Sequence, residues 1–318
     1  MSSGTSSSRV ADAVAAPPDG APGPVGGGSP SRSYGALGLV LSGCVSVQFG
    51  GAVAVSLMPR AGVLGIVALR LVLAALVLLV VCRPSLRGHS RADWVTVLSF
   101  GGVMAAMNGF FYEAVDRIPL GAGVTLEVLG PLALSVIASR RLVSVLWAAL
   151  ALAGVFLLSG LGGGGIGGLD PVGVAFGLAA AVMWATYILF SARTGRRFPQ
   201  ADGLALAMGV GAVLALPFGI VDSGPAMLEP GTIALALGVA VLSSVLPYTF
   251  ELLALRRLPA ATFSVLMSLE PAIAATAGFL ILDQAVTAVD AVAIALVIGA
   301  SIGAIRTQFK ALGNQAVS

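Results

Sequence analysis

The chain has 318 residues, of which 58% are hydrophobic and 10% charged, against roughly 45–50% apolar and about 25% charged in an average soluble domain. With a mean hydropathy of +1.01 spread over most of the length, a water-soluble fold is excluded, and the bilayer is the solvent for most side chains. The formal charge of +3 and the pI near 9.2 do not point to nucleic acid, because the basic residues recur between apolar runs and form no single basic face.

Residues 1–33 are dominated by Ser, Gly, Pro and Ala and predict a disordered tail, which cannot bury enough apolar surface to offset the entropy of ordering. The tail has no apolar core of a secretory signal, so the first span is expected to act as an uncleaved insertion signal. Apolar runs follow at 34–58, 63–82, 94–115, 119–138, 143–161, 171–191, 202–221, 231–255, 260–282 and 288–305. They predict an all-α integral membrane protein of ten transmembrane helices, each about 20 residues long. Of seventeen basic residues, fourteen fall in the tails and in alternate loops: Arg9, Arg32, Arg83, Arg87, Arg91, Arg140, Arg141, Arg193, Arg196, Arg197, Arg256, Arg257, Arg306 and Lys310. The opposite loops hold only Arg60 and Arg117, while Arg70 lies inside the second run. The positive-inside rule then places both termini in the cytoplasm of a multi-pass plasma-membrane protein.

Cys44 and Cys82 lie within apolar runs and read as small buried hydrophobes. The single histidine, His89, sits in the basic loop RPSLRGHSRAD, which argues against a multi-histidine metal site; no metal or cofactor is expected. The run GGGGIGGLD has nucleotide-loop glycine spacing but no preceding strand, and it reads as a flexible turn. Gly173–Gly177 and Gly299–Gly303 have GxxxG spacing and predict close helix contact, chiefly within the bundle. A dimer face is the alternative, so monomer and homodimer both stay open.

The chain also repeats itself. DRIPLGAGVTLEVLGP (116–131) and RRLPAATFSVLMSLEP (256–271) align without gaps at an offset of 140, with Arg117, Pro119, Leu126, Leu129 and Pro131 matching Arg257, Pro259, Leu266, Leu269 and Pro271. The offset carries the fourth span onto the ninth. Five spans is an odd number, so the halves, 34–161 and 171–305, are expected to be inverted repeats around a central cavity, followed by a cytoplasmic tail at 306–318.

Few polar groups lie at membrane depth, where a charge at a helix centre costs roughly 2.5–3.5 kcal/mol on insertion scales. Glu127 and Glu270 sit near the middle of the fourth and ninth spans, Glu251 about one turn from the inner end of the eighth, and Arg70 in the outer half of the second. Gln48, Asn108, Trp184, Tyr187 and Tyr248 supply neutral polar or amphipathic groups; Asn108 and Gln48 are alternatively interhelical glue. Glu113 stands four residues before Arg117, the spacing of a helical ion pair. Arg70 either snorkels outward or binds a carboxylate. Pro131 follows Glu127 by four residues and Pro271 follows Glu270 directly, so both acids are expected beside helix kinks.

The segments SVQFGGAVAVSLMPRAG, NGFFYEA, PLGAGVTLEVLGPLALSVIASRR, WATYIL and LPYTFELLALRRLPAATFSVLMSLEPAIAA resemble bacterial drug/metabolite transporters of the EamA type, and within them the threonine/homoserine exporters. The likeness runs from about 36 to 305. It implies two inverted five-helix halves, a cavity open to one side at a time, and efflux of small amino acids. It also implies a substrate site at the matching polar positions Gln48, Arg70, Asn108, Glu127, Trp184, Tyr187, Tyr248, Glu251 and Glu270. The long N-terminal tail and the acid at Glu113 depart from the family pattern.

The chain has no Walker A motif, so an ion gradient is the energy source expected for a secondary exporter, with protons exchanged for the substrate. Glu127 and Glu270 are the candidates for proton coupling, and either is an acceptor for an ammonium; Arg70, Asn108 or a half-helix N-terminus is a donor to a carboxylate. Export of another metabolite or drug-like compound is the alternative. An intramembrane enzyme is disfavoured, since the chain has no GxSxG, HExxH or DxxD motif and no intramembrane histidine. The topology is open to direct measurement: a C-terminal fluorescent reporter that matures only in the cytoplasm should be bright, and a periplasm-dependent phosphatase fused there should be silent.

Overall fold

The computed structural model describes residues 30–139, 142–158, 169–198, 202–247, 250 and 260–315. These residues form twelve α-helices: α1 Pro30–Ala61, α2 Val63–Cys82, α3 Arg91–Val115, α4 Leu120–Glu127, α5 Leu129–Ser139, α6 Leu142–Leu158, α7 Pro171–Gly195, α8 Asp202–Ser223, α9 Pro230–Ala240, α10 Ala260–Met267, α11 Glu270–Leu282 and α12 Ala288–Gln315. Among the described residues eight segments are long and apolar enough to cross a membrane, with α4 and α5 forming one and α11 part of another. Two further apolar helices, Val143–Leu157 and Pro230–Val245, are shorter. The glycine-rich turn at 161–168 and most of the tail at 1–29 lie outside the described residues.

Helix ends follow local chemistry. Ser90 and Asp93 form a reciprocal capping box at the start of α3, satisfying two backbone donors that have no partner inside the helix. Asp170 caps α7 by accepting from Val172 N at 2.9 Å, with Pro171 in the first turn, where its missing N–H is no loss. The first turn of α2 is capped from a distance: Asp222 accepts from Leu64 N at 2.8 Å, and Gln284 does the same for Leu120 N of α4 at 3.0 Å. Only Gly62, at φ 64°, separates α1 from α2, a left-handed position that glycine adopts without steric cost.

The bundle closes through small residues. A Cβ on Gly101 of α3 would stand 2.6 Å from Ala207 O of α8, one on Gly121 of α4 would stand 2.7 Å from Ala275 of α11, and one on Gly154 of α6 would stand 2.8 Å from Ala293 O of α12. Gly130 of α5 lies directly against Ala181 O of α7. Gly173 and Gly177 face Ile118 and Leu126, so this spaced pair is used inside the bundle; Gly303 abuts Trp147, while Gly299 meets nothing within 4 Å.

Two features break the regular ladder. The α4/α5 break falls at Val128 and the α10/α11 break at Ser268 and Leu269, so the helices before the breaks end at Glu127 and Met267, which are separated by the sequence repeat of 140. After α9 the backbone widens into a π-helical turn, Val241–Val245, in which Leu246 N–H bonds Val241 O rather than Leu242 O. The next residue, Pro247, has no N–H to offer. The carbonyl of Leu242 is therefore without a partner in its own helix, and Ser46 Oγ of α1 donates to it at 2.6 Å. Ser46→Ala should lower stability by about 1–3 kcal/mol, the cost of leaving a buried acceptor unsatisfied, whereas Ser42→Ala, at an exposed position one turn away, should be neutral. Thermal unfolding of both variants in detergent measures the difference.

Candidate functional site

Two of the deep charges, Arg70 and Glu127, stand on α2 and α4, and α3 packs against both of these helices. Short connections reverse the chain twice, so α2 and α4 run parallel with α3 between them in sequence. Arg70 and Glu127 are each the eighth residue of their helices, about 10 Å in from the same end at 1.5 Å per residue. The two side chains interact electrostatically. Glu127 is half-buried, on the last residue of α4 before the break.

Arg70 does not snorkel outward. Its Nη1 donates to the hydroxyl of Tyr112 at 2.9 Å, and its Cζ lies 5.5 Å from the centre of that ring. The Arg70 Nε is buried and has no hydrogen-bond partner. Tyr112 is fully buried, at 0% exposure, and forms an edge-to-face contact with Phe111. Tyr112 is a site residue that sequence reasoning misses, although a signal exists: it stands four residues after Asn108, so the two share one face of α3.

The other described candidates stand on α1, α3, α7 and α11. Asn108 is buried, but its Nδ2 donates to Met104 O of its own helix at 2.8 Å, so that bond is not interhelical glue. Tyr187 of α7 packs its ring 5.2 Å from Phe100 of α3, and Trp184, partly buried, packs against the same central core. Gln48 of α1 is buried. Glu270 is buried in the first turn of α11, directly before Pro271; α11 packs on α1 and α4. Tyr248 and Glu251 lie outside the described residues.

Glu113 sits elsewhere. It pairs with Arg117 at 2.6 Å, whose guanidinium lies 5.2 Å from the Phe176 ring centre. It also lines an apolar groove of about 590 Å³ among Gly102, Ala106, Gly109, Phe176 and Phe218. A second ion pair, Asp93 with Arg197 at 2.7 Å, ties the start of α3 to the end of α7. Among the described residues no group of three or more His, Cys, Asp or Glu side chains could hold a metal ion.

These helices and this sparse set of buried polar groups define a multi-pass membrane protein. The chain belongs to the EamA-like transporter family, with residues 171–306 matching it. It is 38% identical over 262 residues to the threonine/homoserine exporter RhtA of Salmonella typhimurium, spanning 82% of this chain and 88% of that protein. To RhtA of Escherichia coli K12 it is 37% identical over 269 residues, spanning 85% and 90%. A solved crystal structure is also similar, at 20% identity with a TM-score of 0.56, over 85% of this chain and 96% of its own; that likeness is one of fold alone.

The Glu113–Arg117 pair is partly exposed, at 20% and 31%, and pairs of this kind are worth about 0–1 kcal/mol. Glu113→Gln should therefore shift thermal stability by less than about 1 kcal/mol and leave substrate affinity within twofold of wild type, read by ligand-dependent stabilisation.

Proposed function

We propose that this protein is a secondary exporter of small amino acids of the threonine/homoserine kind, or of closely related metabolites, working by proton antiport and alternating access in the plasma membrane. The observation that carries the reading is 37–38% identity to threonine/homoserine exporters over more than four fifths of the chain. The basic loops favour cytoplasmic termini, and the relatives' role as exporters favours a carrier over an enzyme.

Ten spans in two inverted halves, 34–161 and 171–305, fit the arrangement of the helices. The breaks at Val128 and at Ser268 recur at the repeat offset. The neighbouring pairs α2 with α8, α6 with α12, and α4 with α11 are each a span and its counterpart five spans later, a pairing compatible with a two-fold axis in the membrane plane. The match of residues 171–306 to the family agrees with the second half as a unit.

The site is Gln48, Arg70, Asn108, Glu127, Trp184, Tyr187, Tyr248, Glu251 and Glu270. A zwitterion needs an acceptor for its ammonium and donors for its carboxylate; Glu127 or Glu270 supplies the first and Arg70 the second. Several acids at membrane depth with one arginine among them cannot all remain anionic in a low dielectric. One of them carries a proton in the empty carrier and gives it up when the substrate ammonium arrives, which couples the two fluxes.

In proteoliposomes loaded with labelled threonine, Glu127→Gln or Glu270→Gln should abolish pH-driven flux, at least tenfold below wild type, while the protein still inserts. Full coupled transport in both variants would overturn the mechanism, and absence of threonine counterflow in wild-type protein would overturn the substrate assignment.

A further inference from the structure

A guanidinium has only donors, so in the 2.9 Å bond between Arg70 Nη1 and the Tyr112 hydroxyl the phenol oxygen accepts and its own proton remains to be given. Among the described residues no hydrogen bond takes that proton, and Arg70 Nε is a second buried donor without a partner. Two donors on adjacent helices therefore lack an acceptor. The ring face beneath Arg70 Cζ, 5.5 Å away, holds the planar fork in one orientation. Glu127 interacts with Arg70 electrostatically, yet the described ion pairs do not join the two. Arg70 and Tyr112 thus present unused donors on one side of this charge pair, and Glu127 presents an acceptor within electrostatic range of them.

We infer that Arg70 and Tyr112 form the carboxylate end of a zwitterion site whose ammonium end is Glu127, with Tyr112 a positioning residue that orients the guanidinium and adds its own hydroxyl donor. This assignment rests on the amino-acid exporter reading and narrows it. The arrangement suits a ligand whose two opposite charges are a fixed short distance apart, in preference to amines or simple acids. Binding then replaces the long-range attraction between Arg70 and Glu127 by two close charge pairs through the substrate.

Tyr112→Phe keeps the ring and removes only the hydroxyl. The test is ligand-dependent thermal stabilisation of the purified full chain in detergent with threonine, with threoninol, which lacks the carboxylate, and with 3-hydroxybutyrate, which lacks the ammonium. A hydrogen bond to a charged group is worth roughly tenfold or more in affinity, so Tyr112→Phe should weaken threonine and 3-hydroxybutyrate about tenfold and leave threoninol within twofold. Arg70→Lys, which keeps the charge but loses the fork, should show the same selectivity. Equal weakening of all three ligands would mean that Tyr112 serves folding alone, and unchanged threonine affinity would likewise overturn the inference. Wild-type protein stabilised by threonine but inactive in counterflow would sink the exporter reading and leave the carboxylate site standing. If neither threonine nor 3-hydroxybutyrate stabilises wild-type protein, the carboxylate site itself is refuted.

Discussion

Close backbone approach through residues with little or no side chain is the constraint on which this bundle depends. Lipid tails are as apolar as the helices they surround, so burial of Leu or Val gives no net drive for one span to leave lipid for another. Association must come from dispersion contacts over short distances and from the few polar groups that find partners. Gly101 against Ala207, Gly130 against Ala181, Gly177 against Leu126 and Gly219 against Ala68 bring α3, α5, α7 and α8 close enough for that. The same short spacing sets the position of every polar side chain in the interior, since Arg70 reaches Tyr112 only because α2 and α3 are held beside one another.

Satisfaction of backbone groups in a medium without water is the second constraint, and it explains the irregular parts. A proline in a membrane helix leaves a carbonyl without its donor. Around Pro247 the helix widens and Ser46 from α1 supplies the missing hydrogen bond. Around Pro131 and Pro271 the helices break, and the acids Glu127 and Glu270 stand on either side of equivalent breaks. Interrupted helices and buried charge therefore occur together, in the part of the molecule where the chain can least be described as a set of straight apolar rods.

Much of the architecture was legible in the sequence. The apolar runs correspond to helices in the described residues, and the spacing of Glu113 and Arg117 became an ion pair. The site was legible only as a set of unusual residue types. Asn108 drew attention as an amide at membrane depth, but it bonds its own helix. Tyr112 was passed over because a tyrosine near a span end is ordinary in a membrane protein, where such rings sit at the interface. Nothing in its spacing says that it is completely buried under a guanidinium.

What the sequence determined by itself is the solvent: composition and the length of the apolar runs demand a bilayer, and the distribution of arginines favours one orientation within it. These follow from transfer free energies, which each residue contributes independently of its partners. Pairing is different. Whether Arg70 turned outward to the headgroups or inward to Tyr112, whether Gly299 or Gly303 met a neighbour, and which carbonyl Ser46 would satisfy were decided by the tertiary structure, because each depends on which helix faces stand within a few ångströms of one another. The low charge content that first marks the chain as a membrane protein leaves a handful of interior polar groups, and only packing brings Arg70 onto Tyr112 and within electrostatic range of Glu127.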